Sequence, residues 1–130
     1  MASDQKRPSG VKLRRQSRVL ELSYPGEPPC QLDWEYLRVF SPSAEVRGHG
    51  RGQETLQTGK RHVALESVIP VGHYALQLVF DDGHDTGIFS WSYLRELCSN
   101  RESWWQDYLD RLNAAGASRD PDVQVIQFQP

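Results

Sequence analysis

The sequence predicts a single α+β domain, in which an antiparallel sheet of about five or six strands carries C-terminal helices packed on one face. Two patterns support this fold class. Short segments of alternating polarity, typical of half-buried strands, recur up to residue 89, and apolar residues at helical spacing follow between residues 90 and 116. The 130 residues suit one domain, because domains commonly hold about 100–150 residues.

The chain divides into three predicted stretches. Residues 1–10 are expected to form a flexible leader, and residues 11–116 form the domain. Residues 117–130 form a C-terminal tail whose end, DPDVQVIQFQP, has strand-like composition without an evident partner. Two interpretations of this tail stay open: an edge strand docked on the domain, or a segment that folds on the sheet edge of a partner.

Composition excludes several classes of protein. Hydrophobic residues make up 38% of the chain and charged residues 25%, a balance typical of globular proteins. The longest apolar run falls short of the roughly 18–20 residues that cross a bilayer, and the polar start lacks the apolar core of a signal peptide. We therefore expect a cytoplasmic protein with no membrane contact. Because Cys30 and Cys98 are far apart in sequence and form no CxxC pair, we expect two reduced thiols.

Positive charge is concentrated at the start of the chain, where six of the fifteen Lys and Arg residues precede residue 19. A basic arm can bind phosphate, but this one has no interleaved aromatic residues and no recognition-helix pattern. We interpret it as a solvated tail and a first strand, and do not expect a nucleic-acid partner. The six residues are Lys6, Arg7, Lys12, Arg14, Arg15 and Arg18.

The first third of the chain predicts three strands and one helical turn. Residues 11–14 and 19–24 alternate in polarity and should pair as an antiparallel hairpin. A short third strand at residues 31–34 leads into a helical turn at residues 35–40, which the following proline ends.

Residues 46–62, VRGHGRGQETLQTGKRH, are rich in glycine and charge and predict a long exposed loop. The loop is not a phosphate-binding P-loop, because Glu54 stands where that motif needs a glycine and neither Ser nor Thr follows Lys60. A further strand is expected over residues 63–71.

The strongest local signal runs over residues 74–97 and combines a hairpin with the start of a helix. Asp82 and Gly83 supply the pair that suits a two-residue hairpin turn. Residues 84–89 should then return beside the first strand, with His84 at the turn near solvent. The strand face expected in the core comprises Tyr74, Leu76, Leu78 and Phe80.

Two helices are predicted after the hairpin. Ser90 is expected to cap the first, and an S-x-x-E capping box at residues 99–102 predicts that the second begins near Asn100. Gly116 is a natural end for the second helix. Their apolar faces comprise Trp91, Leu94 and Leu97 in the first, and Trp105, Leu109 and Leu112, with Trp104 and Tyr108 alongside, in the second.

The pattern W-x-Y-L-R occurs at residues 34–38 and again at residues 91–95. In a structural interpretation, each Trp and Leu fills a strand-to-helix corner while the Arg stem covers apolar atoms. In a functional interpretation, Arg38 and Arg95 form an anion clamp. We favour the structural interpretation, because arginines at such corners usually serve packing.

Acidic residues and a histidine cluster at the hairpin turn, which suggests either general acid–base chemistry or a metal ion. Hairpin tips commonly carry Asp and His for backbone and solubility reasons, so we assign no catalytic residue. The histidines show no metal-binding spacing and the cysteines no zinc-finger pattern. The turn residues are Asp81, Asp82, His84 and Asp85, and the other histidines are His49, His62 and His73.

Three segments carry a resemblance to a known family: EYLRVFSPSAEVRGHG, LQTGKRHV and GHYALQLVFDDGHDTGIFSWSYLREL. Over residues 11–97 the chain resembles the gamma-butyrobetaine hydroxylase-like N-terminal domains (DUF971), in their stand-alone bacterial form. In the eukaryotic carnitine-pathway dioxygenases, this domain precedes a separate catalytic domain that uses iron and 2-oxoglutarate. The 33 residues after Leu97 are too few to form such a domain.

The resemblance also implies something about metal binding. In the dioxygenases the domain holds structural zinc through a C-P-C-x-x-C cluster and one histidine. His84 matches that histidine, but Ser41, Ser43 and Val46 stand at the three cysteine positions. The resemblance therefore implies that tight zinc binding is lost, and we expect no cofactor. The alternative is a metal-binding protein that holds zinc or iron through His84.

We predict a non-catalytic accessory or protein-interaction domain, similar to the N-terminal domain of the dioxygenases without their catalytic domain. A protein partner is expected, and self-association stays open. The predicted binding surface lies beside the 46–62 loop and comprises Arg38, His84, Trp91 and Arg95.

Overall fold

The computed structural model describes residues 7–47 and 55–123. It confirms an α+β fold with antiparallel strands followed by C-terminal helices. Most of the predicted leader, the glycine-rich part of the loop with His49, and the end of the predicted tail lie outside the described residues.

The first sheet has three antiparallel strands in sequence order: β1 (Gly10–Arg14), β2 (Val19–Ser23) and β3 (Cys30–Asp33). Leu20 and Leu22 of the central strand face the core and are fully buried. Glu21, on the opposite face, accepts hydrogen bonds from Arg14 and Gln31 of the two flanking strands. The predicted first hairpin and third strand are confirmed.

The second sheet also has three antiparallel strands in sequence order: β4 (Leu65–Val71), β5 (Ala75–Phe80) and β6 (Ile88–Ser90). The expectation of one sheet of five or six strands is therefore wrong. Alternating polarity shows which side chains face a core, but it carries no information on hydrogen bonds between strands that are distant in sequence. Residues 34–64, which contain two helices, separate β3 from β4 and prevent simple hairpin pairing between the sheets.

Residues 81–87 join β5 to β6, so only residues 88 and 89 of the predicted return strand 84–89 are in a strand. The turn itself has three residues instead of the predicted two. The Phe80 amide donates to the His84 carbonyl at 2.9 Å, which leaves Asp81, Asp82 and Gly83 in the turn. Gly83 has a φ of 86°, the left-handed conformation that favours glycine. A glycine in this conformation suits the last position of a three-residue turn as well as a two-residue turn, so the dipeptide alone did not decide the length.

Tyr74 is also outside the core, with 59% of its surface exposed, although the sequence placed it on the buried face. Tyr74 precedes β5 and lies in the tight turn that contains Gly72, whose φ is 55°. Its ring therefore points away from the core before the strand begins. Leu76, Leu78 and Phe80 are buried as predicted.

Four helices lie in the described residues: α1 (Trp34–Val39), α2 (Ala44–Arg47), α3 (Trp91–Ser99) and α4 (Arg101–Ala115). Ser90 caps α3 by accepting from the Tyr93 amide at 3.1 Å, and Gly116 ends α4 with a φ of 64°, both as predicted. The predicted capping box is wrong, because Ser99 is the last residue of α3 and Asn100 precedes α4 without a side-chain cap. None of the described helices is long and apolar enough to span a bilayer.

One apolar core joins the two sheets to α1 and α3. The fully buried Leu32 of the first sheet and Leu78 of the second belong to the same cluster as Leu37 of α1 and Leu94 of α3. A smaller cluster formed by Val39, Tyr108 and Leu112 fixes the second half of α4 against the end of α1.

Cys30 and Cys98 form a disulfide between the start of β3 and the end of α3, with 6.2 Å between their Cα atoms. The expectation of two reduced thiols is therefore wrong. It relied on the 68 residues that separate the cysteines in sequence, which say nothing of their distance after β3 and α3 pack together.

Reduction of this disulfide is expected to lower the free energy of unfolding by about 4 kcal/mol, because a crosslink across 68 residues strongly restricts the unfolded chain. Urea unfolding with and without dithiothreitol measures the difference. A variant with both Cys30→Ser and Cys98→Ser serves as control and should not respond to the reductant. Identical curves for the wild-type chain in the two conditions would contradict the prediction.

Candidate functional site

His84 is buried, with 7% of its surface exposed, although the sequence placed it near solvent. The three-residue turn explains the difference. It pairs residue 84 with the core residue Phe80, and paired residues point to the same face of a sheet. A two-residue turn would have paired His84 with Asp81 and turned the imidazole outward. The ring centroids of Phe80 and His84 are accordingly 6.2 Å apart inside the fold.

Two serine hydroxyls contact the buried imidazole. His84 Nε2 lies 2.8 Å from Ser41 Oγ and 3.3 Å from Ser43 Oγ, and both serines are buried. Gly87 permits this approach, because a Cβ atom at that position would overlap Ser41 Oγ. The three side chains therefore join the turn after α1 to the β5–β6 hairpin, and Thr86 adds a hydrogen bond to Glu45 of α2.

A single carboxylate organises the charges beside the imidazole. Asp82 Oδ2 lies 2.9 Å from Arg38 Nε and 2.6 Å from Lys60 Nζ, and Oδ1 accepts from the His84 amide at 3.2 Å. Arg38, whose side chain is 8% exposed, also donates to Gln57 Oε1 at 3.0 Å. Asp82 thus connects α1, the segment around residue 60 and the hairpin.

The surroundings shift the pKa values of Asp82 and His84. Burial alone would raise the pKa of Asp82, but the hydrogen bond from Lys60 and the charge of Arg38 outweigh it and lower the pKa to about 2. Burial, followed by the positive charge of Arg38, lowers the pKa of His84. The cluster therefore favours a neutral imidazole beside an ionised carboxylate.

The donor set around His84 does not fit a zinc or iron site. One imidazole and two hydroxyls face each other, whereas structural zinc takes four thiolate or imidazole ligands. No three His, Cys, Asp or Glu side chains converge anywhere in the described residues 7–47 and 55–123. Val46, the third position that the resemblance aligned with cysteine, is buried and carries no donor atom.

A cleft of about 730 Å³ lies beside this cluster, between α1, α2, residues 55–57, α3 and α4. Its walls are aromatic: the rings of Phe40 and Trp104 stack with centroids 5.7 Å apart, and Tyr93 lies 6.3 Å from Trp104. The lining residues are Val39, Phe40, Ser41, Val46, Arg47, Thr55, Leu56, Gln57, Tyr93, Glu96, Trp104, Asp107, Tyr108 and Arg111.

The tyrosine hydroxyls in the cleft walls already have hydrogen-bond partners within the chain. The Tyr93 hydroxyl donates to the Phe40 carbonyl at 2.7 Å, and the Tyr108 hydroxyl donates to the Gln57 carbonyl at 2.8 Å. Burial raises the pKa of Tyr93, and it raises the pKa of Tyr108 to about 12. The Arg47 guanidinium lies 4.8 Å from the centre of the Tyr93 ring. The rings therefore present apolar faces under a charged rim.

The four residues of the predicted binding surface are only partly brought together. Arg38 and His84 meet around Asp82. Trp91 is buried and donates to the His73 carbonyl at 2.7 Å, whereas Arg95 binds Glu27 at 2.7 Å. Arg38 and Arg95 thus each hold a carboxylate of their own. Among the cleft residues, the sequence placed Trp104 and Tyr108 alongside the apolar face of the second helix. The segments that contribute Phe40 and Tyr93 gave no sign of meeting them.

Comparisons with known proteins agree with the resemblance noted in the sequence. Residues 11–95 match the sequence model of the gamma-butyrobetaine hydroxylase-like, N-terminal family. Two proteins with NMR solution structures are 49% and 46% identical, with TM-scores of 0.81 and 0.77. The first alignment covers 97% of this chain and 99% of that one, and the second covers 100% and 98%.

A crystal structure from Acidithiobacillus ferrooxidans is 41% identical, with a TM-score of 0.60, and is aligned over 72% of this chain and 94% of that one. It is described as a protein of unknown function in the DUF971 family. No curated protein matches the chain.

Substituting Asp82→Asn is expected to lower the free energy of unfolding at pH 7 by about 2 kcal/mol, because Arg38 and Lys60 lose a charged acceptor. The folded chain lowers the pKa of Asp82 from its ordinary 3.8 to about 2. The carboxylate therefore stabilises the fold above about pH 4, and this contribution disappears as the pH falls toward 2. Urea titrations at a series of pH values should show the difference in the free energy of unfolding between variant and wild type becoming smaller over that range.

The matched control for this prediction is Asp85→Asn, which removes an exposed carboxylate from the same hairpin. It should leave stability and its pH dependence close to those of the wild type. Equal effects of the two substitutions would contradict the role of Asp82.

Substituting His84→Ala is expected to lower the free energy of unfolding by about 2 kcal/mol, because two buried hydroxyls lose their shared partner. Chelation with EDTA should leave the thermal midpoint of the wild type unchanged, since hydrogen bonds make this crosslink. His73→Ala, which removes an exposed imidazole, serves as control. A midpoint that falls with EDTA and recovers with zinc, in the wild type but not in the His84 variant, would support a metal site instead.

Proposed function

The chain belongs to the gamma-butyrobetaine hydroxylase-like N-terminal family, and from this premise we propose that it is a non-catalytic protein-interaction domain whose partner binds in the aromatic cleft. The observation that carries the proposal is the cleft itself. Trp, Tyr and Arg are the residues that most often dominate binding energy at protein interfaces, and Trp104, Tyr93 and Arg47 line it together.

The size of the cleft supports a peptide segment as the occupant. About 730 Å³ exceeds the volume of one side chain and lies within the roughly 300–1,000 Å³ range in which proteins hold ligands. Rings supply apolar contact at little cost in conformational entropy. The rim carries both signs of charge, with Arg47 and Arg111 opposed by Glu96 and Asp107. We therefore expect an apolar or aromatic anchor flanked by charged residues in the partner.

The chemistry of the cluster beside the cleft supports a role without catalysis. Ser41 Oγ and His84 Nε2 are 2.8 Å apart, the spacing of a nucleophile and its base. Ser41 lines the cleft but is only 1% exposed, and the same nitrogen also contacts Ser43, so little of the hydroxyl is open to a substrate. The Asp82 carboxylate is already paired with the side chains of Arg38 and Lys60. The cluster fits a structural role better than a reaction.

In this proposal the chain is an accessory domain that binds another polypeptide, and this binding needs no metal or organic cofactor. We further propose that this interaction takes place in the cytoplasm. We propose that the partner is a different protein. If the cleft instead bound a second copy of the chain, the purified protein would form oligomers.

Trp104→Ala is expected to reduce binding of the partner by about 30-fold or more, because truncating a central tryptophan commonly costs at least about 2 kcal/mol. The immobilised full chain is exposed to lysate of its own source, and captured proteins are quantified by mass spectrometry. Arg47→Glu, on the exposed side of α2, tests the rim without removing a packed ring.

Ile69→Ala is the matched control, because Ile69 is an exposed apolar residue on the second sheet and lies outside the cleft lining. A specific partner should remain bound to this variant and be lost from both cleft variants. Thermal unfolding of each variant verifies that the fold is kept. If every captured protein binds the cleft variants as well as the wild type, the cleft is not the interaction site.

A further inference from the structure

The disulfide lies at the corner between the two C-terminal helices. Cys98 is the next-to-last residue of α3, and α4 begins at Arg101, so one residue separates the helices. Arg101 makes a second tie to the first sheet, since its Nη1 donates to the Gln31 carbonyl at 2.6 Å. Residues on both sides of the corner are thus attached to neighbouring residues of β3, one by a covalent bond and the other by an exposed hydrogen bond.

Both helices that meet at this corner form walls of the cleft. Tyr93 and Glu96 come from α3, and Trp104 is the first cleft residue of α4, one turn beyond Arg101. The rest of α4 is held independently, because Tyr108 and Leu112 are buried in their own cluster. The part of the wall next to the corner is the first turn of α4 with Trp104, where Trp104 and Trp105 also pack against the main core.

Three buried residues anchor α3 itself: Trp91, Leu94 and Leu97. In addition, the Tyr36 hydroxyl donates to the Leu97 carbonyl at 2.8 Å. Opening the disulfide would therefore leave α3 in place as far as Leu97, and would release the corner that follows it.

From these contacts we infer that Cys30–Cys98 is a reversible redox site that controls the aromatic cleft. In the oxidised chain the covalent tie holds the first turn of α4, and Trp104 packs on Phe40. In the reduced chain the first turn of α4 loses its covalent anchor and keeps the hydrogen bond of Arg101 and the ring contacts of Trp104 and Trp105, so the Trp104 wall loosens and the partner binds more weakly. The effect on binding rests on the function proposed above, whereas the effect on the corner does not.

The reaction that switches the site is thiol–disulfide exchange with a dithiol reductant. Its thiolate attacks one sulfur of the bridge, forms a mixed disulfide and releases the other cysteine as a thiolate. The second thiol of the reductant then attacks the mixed disulfide, so two cysteine thiols form while the dithiol becomes a disulfide. Both Cys30 and Cys98 are half-buried, which leaves part of each side chain open to this approach. A disulfide oxidant reverses the reaction.

Amide hydrogen exchange of the full chain, oxidised or treated with dithiothreitol, tests the structural step. Exchange is followed at times too short for global unfolding, so that only local opening is measured. At these times residues 99–104 should exchange about tenfold faster or more on reduction, while the amides of β2 and of residues 108–115 stay protected. A variant with both Cys30→Ser and Cys98→Ser should exchange like the reduced chain in either condition. Equal exchange at the corner in the two forms would overturn the inference. A uniform increase across the chain would also overturn it, because it would indicate only a loss of global stability.

Two further measurements separate this inference from the proposed function. The oxidised chain is alkylated before any reductant is added, and its mass should show no alkylated cysteine. Two alkylated cysteines in this sample would refute the redox site. Capture of the Trp104-dependent partner is then compared between oxidised and reduced chain, with an expected loss of about tenfold. Equal capture would overturn control of the cleft and leave the interaction intact. Redox-dependent exchange without a Trp104-dependent partner would overturn the proposed function and leave the redox site.

Discussion

The pairing of Phe80 with His84 is the constraint on which the rest of the site depends. It sets the turn at three residues and directs the imidazole into the core beside a ring that is 1% exposed. With the imidazole inside, Ser41 and Ser43 acquire a partner, and the turn after α1 is fixed against the hairpin. A change of one residue in this turn would direct His84 to the opposite face and remove the imidazole partner of both buried hydroxyls.

The charges follow from the same turn. Asp82 is the middle residue of the three, and its carboxylate lies where Arg38 from α1 and Lys60 both reach it. Arg38 extends the connection to Gln57, whose carbonyl accepts from Tyr108 of α4. The buried cluster and the cleft therefore belong to one hydrogen-bonded unit. The hairpin and the cleft wall are thus connected through side chains that are in contact.

Local sequence patterns predicted most helix and strand positions, but they gave the wrong cap before α4 and the wrong turn length, and the other misses involve contacts between distant segments. The cap at Ser90 and the end at Gly116 depend on a few neighbouring residues, so the sequence was sufficient. The disulfide joins residues that are distant in sequence, and the inward position of His84 depends on a turn length that the Asp-Gly pair did not specify. The cleft could not be foreseen because its aromatic walls come from separate elements.

The segment over residues 41–46 shows how one short turn serves both parts of the site. Ser41 and Ser43 place hydroxyls at His84, in positions that the family resemblance aligned with metal-binding cysteines. Val46, aligned with the third cysteine, contributes instead to the lining of the cleft. The turn thus makes a crosslink to the hairpin with neutral hydrogen bonds. Because hydroxyls bind zinc poorly and a valine does not bind it at all, these three side chains suit packing and the cleft lining better than a metal site.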